Sequence, residues 1–506
     1  MLFRSKAVEL RQAMLDFKQS GKFIHAFLEV GGELDYFFAS AADSVFMPTE
    51  GVVELNGFAV SPLFWQGTLQ KLGVEPFVTQ FEEYKSAAES YSEKKFSSYA
   101  REELRSLLTD RFGDYVDAIA SARKLESAQV AGALRRGVYS ADAALEVHFI
   151  DAIRSESAVK NRMARAAGGD SSKDDGPNMI SLSQYVRHLE QKPTGSVVRH
   201  KEIAIVYGSG MMVPGRADDG GPFGETMIGS DSFIRDLRRA AKDDDVKAII
   251  IRIDSPGGTV LAADAIWEEI QRIKKIKPVY ASMSDVAASG GYYMAMACDT
   301  IIAHPSTITG SIGVIAMIPN LSGTLAKIGA SVDTVATSPS ANFLNPFLPF
   351  TAQDRLTFHR ISEPIYRRFV QRVADSRHKT FAETRQVARG RVWTGEEAQR
   401  IGLVDQLGGL QETIKIVKRR LGVSETERVR LRIFPEPRDP LESFLRILQR
   451  TEQPGFTGRA LARQDDPWFG LQRATVRKQV AYLYSVYYIG REGGMLAALP
   501  FLPVAE

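Results

Sequence analysis

The sequence contains an internal repeat, and this repeat constrains the fold more than any other feature. Residues 36–45 match residues 292–301, and residues 67–73 match residues 323–329 at the same offset, with no insertion between the two blocks. A chain of 506 residues is long enough for two or three domains, each with its own buried core. The repeat therefore predicts two homologous halves that share one fold.

A second block of similarity extends the repeat toward the end of each half. Residues 137–144 match residues 391–398, and here the offset is shorter by two residues. In both halves short β-branched segments alternate with helical patterns, such as residues 7–19 and their counterpart at residues 263–275. This alternation is typical of an α/β fold with a parallel sheet.

The repeat and local composition together indicate the domain boundaries. We predict a first half over residues 1–165, a linker over residues 166–196, a second half over residues 197–430 and a C-terminal tail over residues 431–506. The linker contains the small, polar and breaker-rich residues 168–177.

The two halves differ at their beginnings. Residues 201–256, which include strand patterns at 202–207 and 246–253, have no counterpart in the first half, because Met1 aligns with Gly257. A parallel sheet without its leading strands exposes an apolar edge. We therefore expect a first half that is incomplete, in a chain truncated at its N-terminus. No signal-peptide pattern or run of about 18 apolar residues occurs, so a membrane anchor is expected in the missing part.

The end of the chain has a different composition. The tail is rich in proline, arginine and glutamine, and it finishes in an apolar stretch at residues 495–502. Such a stretch can pack on the body of the protein, on a second subunit or on a membrane surface. Of these alternatives, packing on the body of the protein is favoured.

Charge and cysteine content exclude some functions. The chain has 64 basic and 61 acidic residues, a net charge of +3, and the two signs are interleaved. Nucleic acid is therefore not an expected partner. The single cysteine, Cys298, cannot form an internal disulfide and lies in an apolar run, which predicts a small core residue.

Two glycines follow a buried strand pattern in the second half. Gly257 and Gly258 come after residues 249–253 and precede a helix expected to start near Thr259. Such a turn lets backbone N–H groups point into a cleft, which is the geometry of an oxyanion hole. Turns of this kind also occur for steric reasons alone, so the glycines by themselves leave both interpretations open.

Ser289 precedes two more glycines, Gly290 and Gly291, and an apolar helical pattern. Its hydroxyl is therefore expected at a helix N-terminus, where free N–H groups favour developing negative charge. Serine is also a common helix N-cap, and from this segment alone the cap is the favoured role.

A serine nucleophile needs a base. The nearest histidine, His304, follows a strand pattern and precedes Pro305, and the first half has Pro48 at the site of His304. Lysine can serve when it is uncharged, for which its pKa, ~10.4 when free, must fall by roughly 3.

Lys85 is the candidate lysine. It follows the strand pattern of residues 76–81, and we predict that it opens a helix. In the repeat Ser289 aligns with Glu33 and Lys85 aligns with Ala341, so each half lacks the group that the other has. The hypothesis is that the halves pack about a pseudo-twofold axis and share one site; the alternative is a solvated surface lysine.

Four motifs carry a resemblance to a known family. Residues 84–87, 254–258, 288–292 and 309–314 resemble signal peptide peptidase A in its long, duplicated bacterial form, in the same order. The resemblance implies that Ser289 is the nucleophile, Lys85 the general base and Ser311 the residue that orients the lysine amine. It also implies an oxyanion hole from the backbone N–H groups of Gly257, Gly258 and Gly290.

The same resemblance gives the expected fold and setting. It implies an α/β fold of two tandem Clp protease/crotonase-like spirals of βαβ units. The protein would be a serine endopeptidase with no metal or organic cofactor, degrading signal peptides or other membrane-associated peptides. It would be a homotetramer at the outer face of the bacterial inner membrane.

Two other functions remain open at this point. A crotonase-type acyl-CoA enzyme would use a similar glycine-rich oxyanion hole, but it would need an acidic acid/base pair. A non-catalytic membrane scaffold of the same fold would need neither Ser289 nor Lys85. Apolar residues near the expected site, Tyr292, Tyr293, Ile315 and Met317, suggest a preference for apolar or small substrate side chains.

Overall fold

A computed structural model describes most of the chain. The described residues are 5–167, 179–191, 201–217, 226–436 and 496–498. The linker segment predicted at residues 168–177 and most of the predicted tail lie outside them.

The described residues up to 191 alternate helices and short strands. The helices are α1 (Ser5–Lys18), α2 (Glu33–Ala39), α3 (Gln66–Leu72), α4 (Glu89–Ser92), α5 (Ser98–Arg123), α6 (Ser127–Leu134), α7 (Ala141–Glu146), α8 (Glu156–Ala166) and α9 (Leu182–Gln191). The strands are β1 (His25–Phe27), β2 (Val30–Gly31), β3 (Ser44–Met47), β4 (Val52–Leu55), β5 (Glu75–Gln80), β6 (Gly137–Ser140) and β7 (Ala152–Ile153).

The described residues from 201 onward continue the pattern with longer strands. The strands are β8 (Glu202–Ser209), β9 (Met211–Val213), β10 (Met227–Gly229), β11 (Val246–Ser255), β12 (Gly257–Thr259), β13 (Val279–Ala288), β14 (Thr300–Ala303), β15 (Ile308–Gly310), β16 (Ile315–Asn320), β17 (Val392–Thr394), β18 (Gln406–Leu407), β19 (Arg430–Phe434) and β20 (Leu496–Ala498). The helices are α10 (Ser230–Lys242), α11 (Val260–Ile273), α12 (Gly290–Ala295), α13 (Ser322–Lys327), α14 (Ala352–Arg377), α15 (Phe381–Val387), α16 (Gly395–Arg400) and α17 (Leu410–Arg420), with a 3₁₀ helix at Pro339–Asn342.

The chain forms two compact units that do not coincide with the halves of the repeat. The first unit contains residues 1–61 and 102–197, and the second contains residues 62–101 together with residues from 198 onward. Residues 62–101 are in the first half of the sequence, yet they belong to the second unit. The lysine-bearing segment therefore needs no docking between units to meet the second half.

The first unit is built on two small sheets. One sheet has the order β1-β3-β7 with parallel neighbours, and the other has the order β2-β4-β6, in which β6 is antiparallel to β4. Its core combines aliphatic residues with several buried aromatic side chains, including Tyr36, Phe37, Tyr115 and Phe149. Aromatic residues suit the core of such small sheets, because each aromatic ring buries a large apolar area.

The second unit contains a large, mainly parallel sheet. Its order is β17-β15-β13-β11-β8-β19, and β14 and β18 branch from β13. The strands β11 and β13 are apolar over most of their length and are buried, as expected for central strands covered on both faces. One face packs against α10, α11, α12 and α14, whereas the other packs against α17.

A second sheet of this unit carries the segment from the first half of the sequence. Its order is β10-β9-β12-β20-β16-β5, and β5 is antiparallel to β16 along its whole length, with Glu75 opposite Asn320 and Gln80 opposite Ile315. This pairing fixes the position of the residues that follow β5, among them Lys85.

The elements of the two halves repeat almost residue by residue, as the sequence predicted. Helices α5, α7 and α8 have the same lengths as α14, α16 and α17, and β3 and β7 correspond to β14 and β18. The tertiary contacts repeat as well. Arg123 pairs with Asp151 in the first unit, and Arg377 pairs with Asp405 in the second.

Several local expectations can be compared with the structure. Cys298 is buried, as predicted, and burial raises the pKa of its thiol. Helix α9 lies within the predicted linker, and β19 joins the large sheet although most of its residues were assigned to the tail. Among the residues that the structure describes, no helix has both the length and the apolar composition needed to cross a membrane.

The repeat predicts matched stability effects in the two units. The Tyr36 hydroxyl donates to the Phe149 carbonyl at 2.7 Å, and the Tyr292 hydroxyl donates to the Leu403 carbonyl at 2.8 Å. Both tyrosines are fully buried. We expect Tyr36→Phe and Tyr292→Phe each to lower the free energy of unfolding by about 1–3 kcal/mol, because each leaves a buried carbonyl unpaired. Denaturant unfolding measures this, with the exposed Tyr207→Phe as control; no loss in either variant would contradict the prediction.

Candidate functional site

Lys85 lies in a turn after β5. Glu82 has a φ of +70°, and the Lys85 N–H donates to the Glu82 carbonyl at 3.4 Å. The prediction that Lys85 opens a helix is wrong, since α4 begins only at Glu89. The left-handed backbone at Glu82 interrupts any regular element here, and the chain bends so that Lys85 points inward. Lys85 is fully buried.

Ion pairs hold this turn against a segment from the second half of the sequence. Arg385 Nε donates to Glu82 Oε1 at 2.9 Å, and Arg389 pairs with Glu83. The hydrogen bond from Arg389 lowers the pKa of the Glu83 carboxyl. The Tyr84 N–H also donates to the Arg389 carbonyl at 3.2 Å, so backbone and side chains together anchor the turn.

Two glycines form the walls of the slot that contains the Lys85 side chain. A Cβ at Gly390 would lie 2.7 Å from Lys85 Cβ and 2.7 Å from the Lys85 backbone N. A Cβ at Gly313 would lie 3.2 Å from Lys85 Cδ and 3.0 Å from Gly390 Cα. Any larger residue at position 390 would displace the lysine backbone, because such distances are shorter than van der Waals contact.

Ser289 lies at the junction of β13 and α12 in an unusual backbone conformation. Its φ is +54° and its ψ is −114°. A non-glycine residue in such a conformation stores strain and is found most often at functional sites. The Ser289 N–H donates to the Gly310 carbonyl at 2.8 Å, and the Ser289 carbonyl accepts from Tyr293 N–H at 2.8 Å, which together hold the residue in place.

Ser289 does not cap its helix. It occupies the N-cap position of α12, but its side chain makes no capping hydrogen bond. Instead, its hydroxyl is turned toward Lys85. The capping role that the local sequence favoured is therefore wrong, because a tertiary partner replaces the helix N–H groups.

Ser311 is the third polar residue at this point. It has a φ of +51°, and its N–H donates to the Arg391 carbonyl at 2.7 Å. This bond ties the turn after β15 to the segment before β17, which contains Gly390. Ser311 is fully buried, like Lys85 and Ser289.

The three residues meet in one hydrogen-bonded cluster. Lys85 Nζ lies 3.0 Å from Ser289 Oγ, 2.9 Å from Ser311 Oγ and 2.8 Å from the Ser311 carbonyl oxygen. The expected proximity of Lys85 and Ser289 is thus confirmed. These three partner atoms are uncharged, so they can hold an amine without adding a charge that favours its protonated form.

The glycine turn before α11 lies next to the start of α12. A Cβ at Gly290 would lie 3.2 Å from the Gly258 backbone N and 3.1 Å from Gly257 Cα. A Cβ at Gly291 would lie 2.6 Å from the Ser255 carbonyl oxygen. A Cβ at Gly291 would overlap the Ser255 carbonyl, and a Cβ at Gly290 would be closer to its neighbours than ordinary van der Waals contact, so this close approach places Gly290 beside the backbone N of Gly258.

Gly257 has a different role from its neighbours. Its φ is +105°, and its N–H donates to Ser255 Oγ at 3.2 Å. Ser255 in turn donates to the Gly210 carbonyl at 2.7 Å. The Gly257 N–H is therefore engaged inside the protein, and the turn offers Gly258 and Gly290 as the donors of the predicted oxyanion hole.

His304, the alternative base, is part of a turn. Its Nδ1 accepts a hydrogen bond from the Ser306 N–H at 3.1 Å, and its carbonyl accepts from the Thr307 N–H at 2.8 Å. A ring nitrogen that accepts a backbone N–H is already engaged. The geometry therefore favours Lys85 as the partner of Ser289.

The sequence profile of Peptidase family S49 matches residues 16–169 and again residues 271–424. The chain belongs to peptidase family S49. A profile described as Clp protease also matches residues 226–308. The S49 domain is thus present twice, and the α/β fold is a duplicated Clp-like fold, as the sequence predicted.

Relatives identify the chain as an SppA-type peptidase. The chloroplastic serine protease SPPA of Arabidopsis thaliana is 33% identical over 441 residues, 87% of this chain and 64% of the relative. Protease 4 of Salmonella typhi is 32% identical over 418 residues, 80% of this chain and 64% of the relative. Protease 4 of Haemophilus influenzae is 30% identical over 412 residues, 79% of this chain and 65% of the relative.

These comparisons define how far the similarity extends. This S49 chain spans less than two thirds of the length of the three relatives. The family and the relatives support a serine protease, and they favour it over the acyl-CoA enzyme that the glycine-rich turn left open.

Sequence reasoning missed part of the site. It did not identify Gly390 and Gly313 as the walls of the lysine slot, or Ser255 as the acceptor of the Gly257 N–H. The signal for Gly390 was its position between Arg389 and Arg391 in a segment without a regular pattern. A glycine there indicates a special backbone, but nothing local connects it to Lys85.

The slot predicts a specific effect of one methyl group. We expect Gly390→Ala to slow the reaction of Ser289 with a fluorophosphonate by at least about ten-fold, because the new Cβ displaces Lys85. Gly422→Ala is the matched control, since Gly422 also has a positive φ of +65° but has no atom within 4 Å of the added Cβ. Both variants share the backbone strain, so equal reaction rates in the two would contradict the slot.

Proposed function

We propose that this chain is a serine endopeptidase in which Ser289 is the nucleophile and Lys85 the general base. The observation that carries the proposal is the 3.0 Å separation of Lys85 Nζ and Ser289 Oγ, with both side chains fully buried. A nucleophile within hydrogen-bond reach of its base, with a third group that orients the base, is the arrangement required for acyl transfer.

The proposed reaction uses the amine of Lys85 twice. In the reactive state the Ser289 hydroxyl gives its proton to Nζ while Oγ attacks the carbonyl carbon of the peptide bond. Lys85 then passes this proton to the leaving amine, and the acyl group remains on Ser289. A water molecule then attacks the acyl carbon while it gives a proton to Lys85, the bond from this carbon to Ser289 Oγ breaks, and Lys85 returns the proton to Oγ, which restores the enzyme.

The carbonyl oxygen becomes negatively charged during the attack. We assign its stabilisation to the N–H groups of Gly258 and Gly290, which lie at neighbouring positions beside Ser289. Donors placed in advance contribute a large part of catalysis, because they need no reorganisation when the charge develops. Gly257 is left out of this assignment because its N–H donates to Ser255.

Ser311 is proposed to orient the base. Its hydroxyl and carbonyl are both within 2.9 Å of Lys85 Nζ, so they fix the direction of the amine toward Ser289. A carboxylate at this place would favour the ammonium form and so oppose the function of a base. A hydroxyl gives the orientation without that charge.

The substrates and setting are proposed from the resemblance to signal peptide peptidase A. We expect cleaved signal peptides or other membrane-associated peptides as substrates, a homotetramer, and a location at the outer face of the bacterial inner membrane. A non-catalytic scaffold is the competing function. A fluorophosphonate that labels Ser289, located by peptide mass spectrometry, supports the enzyme, whereas an unlabelled Ser289 in folded protein contradicts it.

The role of Lys85 can be tested with two replacements. We expect Lys85→Met and Lys85→Arg to lower kcat about a thousand-fold or more, because one has no amine and the other cannot deprotonate. In the unchanged enzyme the rate should rise with pH, since only the uncharged amine accepts a proton. Lys94→Arg, at an exposed lysine, is the control. Substantial peptide hydrolysis by either Lys85 variant would assign the base to another residue.

Ser311 gives a second test of the site. We expect Ser311→Ala to lower kcat by roughly ten- to a thousand-fold, about 1.4–4 kcal/mol of transition-state stabilisation, with little change in KM or Tm. Ser362→Ala removes an equally buried hydroxyl, which donates to the Phe358 carbonyl, and should leave kcat unchanged. An unchanged kcat for Ser311→Ala would show that Ser311 only forms the turn.

A further inference from the structure

A wide cavity lies at the amino ends of β13 and β14, within the second compact unit. Its volume is about 1080 Å³, and it is bounded by the segment after α11, by the end of α17 and by the first residues of the two strands. Tyr280 is the second residue of β13, whereas Ser289 directly follows its last residue. About 30 Å of extended chain separates these two residues. The cavity is therefore distinct from the proposed peptidase site.

The lining of this cavity is positively charged. Asp299 is the only acidic residue among the described residues that line it, whereas five are basic: Lys274, Lys275, Lys277, Arg419 and Arg420. A concave surface with one sign of charge concentrates ions of the opposite sign. The cavity therefore suits an anion.

The carboxylate of Asp299 is already engaged. It lies 3.4 Å from Lys274 Nζ, and it accepts the Val279 N–H at 2.8 Å. In the first unit Lys18 and Asp43 form the equivalent ion pair at 3.1 Å. This pair thus belongs to the repeated framework of the fold, and its lysine offsets the one negative charge of the lining.

Lys275 and Arg420 are not accounted for in this way. Among the residues that the structure describes, neither has an ion-pair or hydrogen-bond partner. At the aligned positions the first half has Gln19 and Ala166. A cation in the last turn of a helix can also stabilise the helix dipole, but α8 ends at the same position without one. The repeat shows that the fold requires neither charge.

The hydroxyl of Tyr280 is the second observation that points to a ligand. Tyr280 is only 4% exposed, and its ring packs in an apolar cluster with Ile250, Ile302 and Val417. It lines the cavity, and within the described part of the chain its hydroxyl has no hydrogen-bond partner. Hydroxyls of buried residues normally have such a partner. Burial raises the pKa of Tyr280, so the hydroxyl keeps its proton and can donate to a ligand.

We propose that this cavity binds a phosphate group, with Lys275, Arg420 and Tyr280 as its donors. Guanidinium and ammonium groups form charge-assisted hydrogen bonds with phosphate oxygens, and a phenol adds a neutral donor. The phosphate can belong to a soluble phosphate compound or to the headgroup of an anionic lipid, because both present the same oxygens. The site is independent of the proposed peptidase function.

The rim of the cavity makes the two sources distinguishable. Ile276 is 59% exposed and lies between Lys275 and Lys277. An apolar side chain flanked by lysines can enter the headgroup region of an anionic membrane, whereas a soluble phosphate compound does not require it. Both sources are therefore tested.

The test uses the full chain and two probes. Pyrophosphate binding is measured by calorimetry, and lipid binding is measured by flotation with phosphatidylcholine vesicles that contain or lack phosphatidylglycerol. The variant combines Lys275→Gln with Arg420→Ala, which introduces the residues of the first half. The matched control combines Lys94→Gln with Arg360→Ala, which removes the same charges from two exposed positions.

We expect the unchanged chain to bind pyrophosphate with a Kd below ~1 mM, and more weakly as the salt concentration rises. Lys275→Gln with Arg420→Ala should raise this Kd at least about ten-fold, because it removes two charged donors. The control should bind like the unchanged chain.

Tyr280→Phe tests the site without a change of charge. It should raise the Kd for pyrophosphate by about three- to ten-fold. It should leave Tm unchanged, because the hydroxyl has no partner to lose in the described part of the chain. A lowered Tm would assign the hydroxyl to a protein partner and remove it from the proposed site.

Each remaining outcome decides the proposal. Flotation that requires phosphatidylglycerol and is lost with Lys275→Gln and Arg420→Ala, without pyrophosphate binding, supports the site and assigns the phosphate to a lipid. Binding of neither probe overturns the proposal. Equal losses in the variant and in the control also overturn it, since they reduce the effect to net charge, and so does binding that the variant leaves unchanged.

Discussion

The contact between Lys85 Nζ and Ser289 Oγ is the interaction on which the proposed function depends. It requires an amine to be buried among hydroxyl and carbonyl oxygens, far from the solvent that stabilises its charged form. An isolated buried lysine would be costly, because burial removes its hydration. The surrounding structure offsets this cost with three hydrogen bonds and with ion pairs that hold the preceding turn, between Arg385 and Glu82 and between Arg389 and Glu83.

The position of Lys85 follows from one strand pairing. The strand β5 comes from the first half of the sequence but pairs with β16 of the second, which places residues 62–101 in the second compact unit. The duplication can therefore place Lys85 in one half and Ser289 in the other while both lie in the same compact unit. At the aligned positions the first half has Glu33 in place of the serine, and the second has Ala341 in place of the lysine.

Glycines decide how closely the pieces of the site approach. At the start of α12, Gly290 lies close to Gly257 and Gly258, and Gly291 leaves no space for a Cβ against the Ser255 carbonyl. Gly313 and Gly390 do the same for the lysine. The pairs Gly257-Gly258 and Gly290-Gly291 were visible in the sequence, since neighbouring glycines before a helix indicate a special turn. The slot around Lys85 was not visible, because Gly313 and Gly390 are far apart in the chain and neither forms a recognisable motif.

The sequence by itself determined the duplicated α/β fold, the catalytic candidates Lys85, Ser289 and Ser311, and the glycine turn. The repeat and the glycine turn can be read along the chain, as can Lys85 and Ser289 as candidates, whereas the role of Ser311 and the Clp-like form of the fold came from the resemblance to signal peptide peptidase A. The tertiary structure decided that Lys85 lies in a turn rather than a helix and that the Gly257 N–H belongs to Ser255. It also decided that β20 pairs with β12 and β16. Each of these depends on partners distant in sequence, and hydrogen bonds between distant segments leave no periodic signal in either segment.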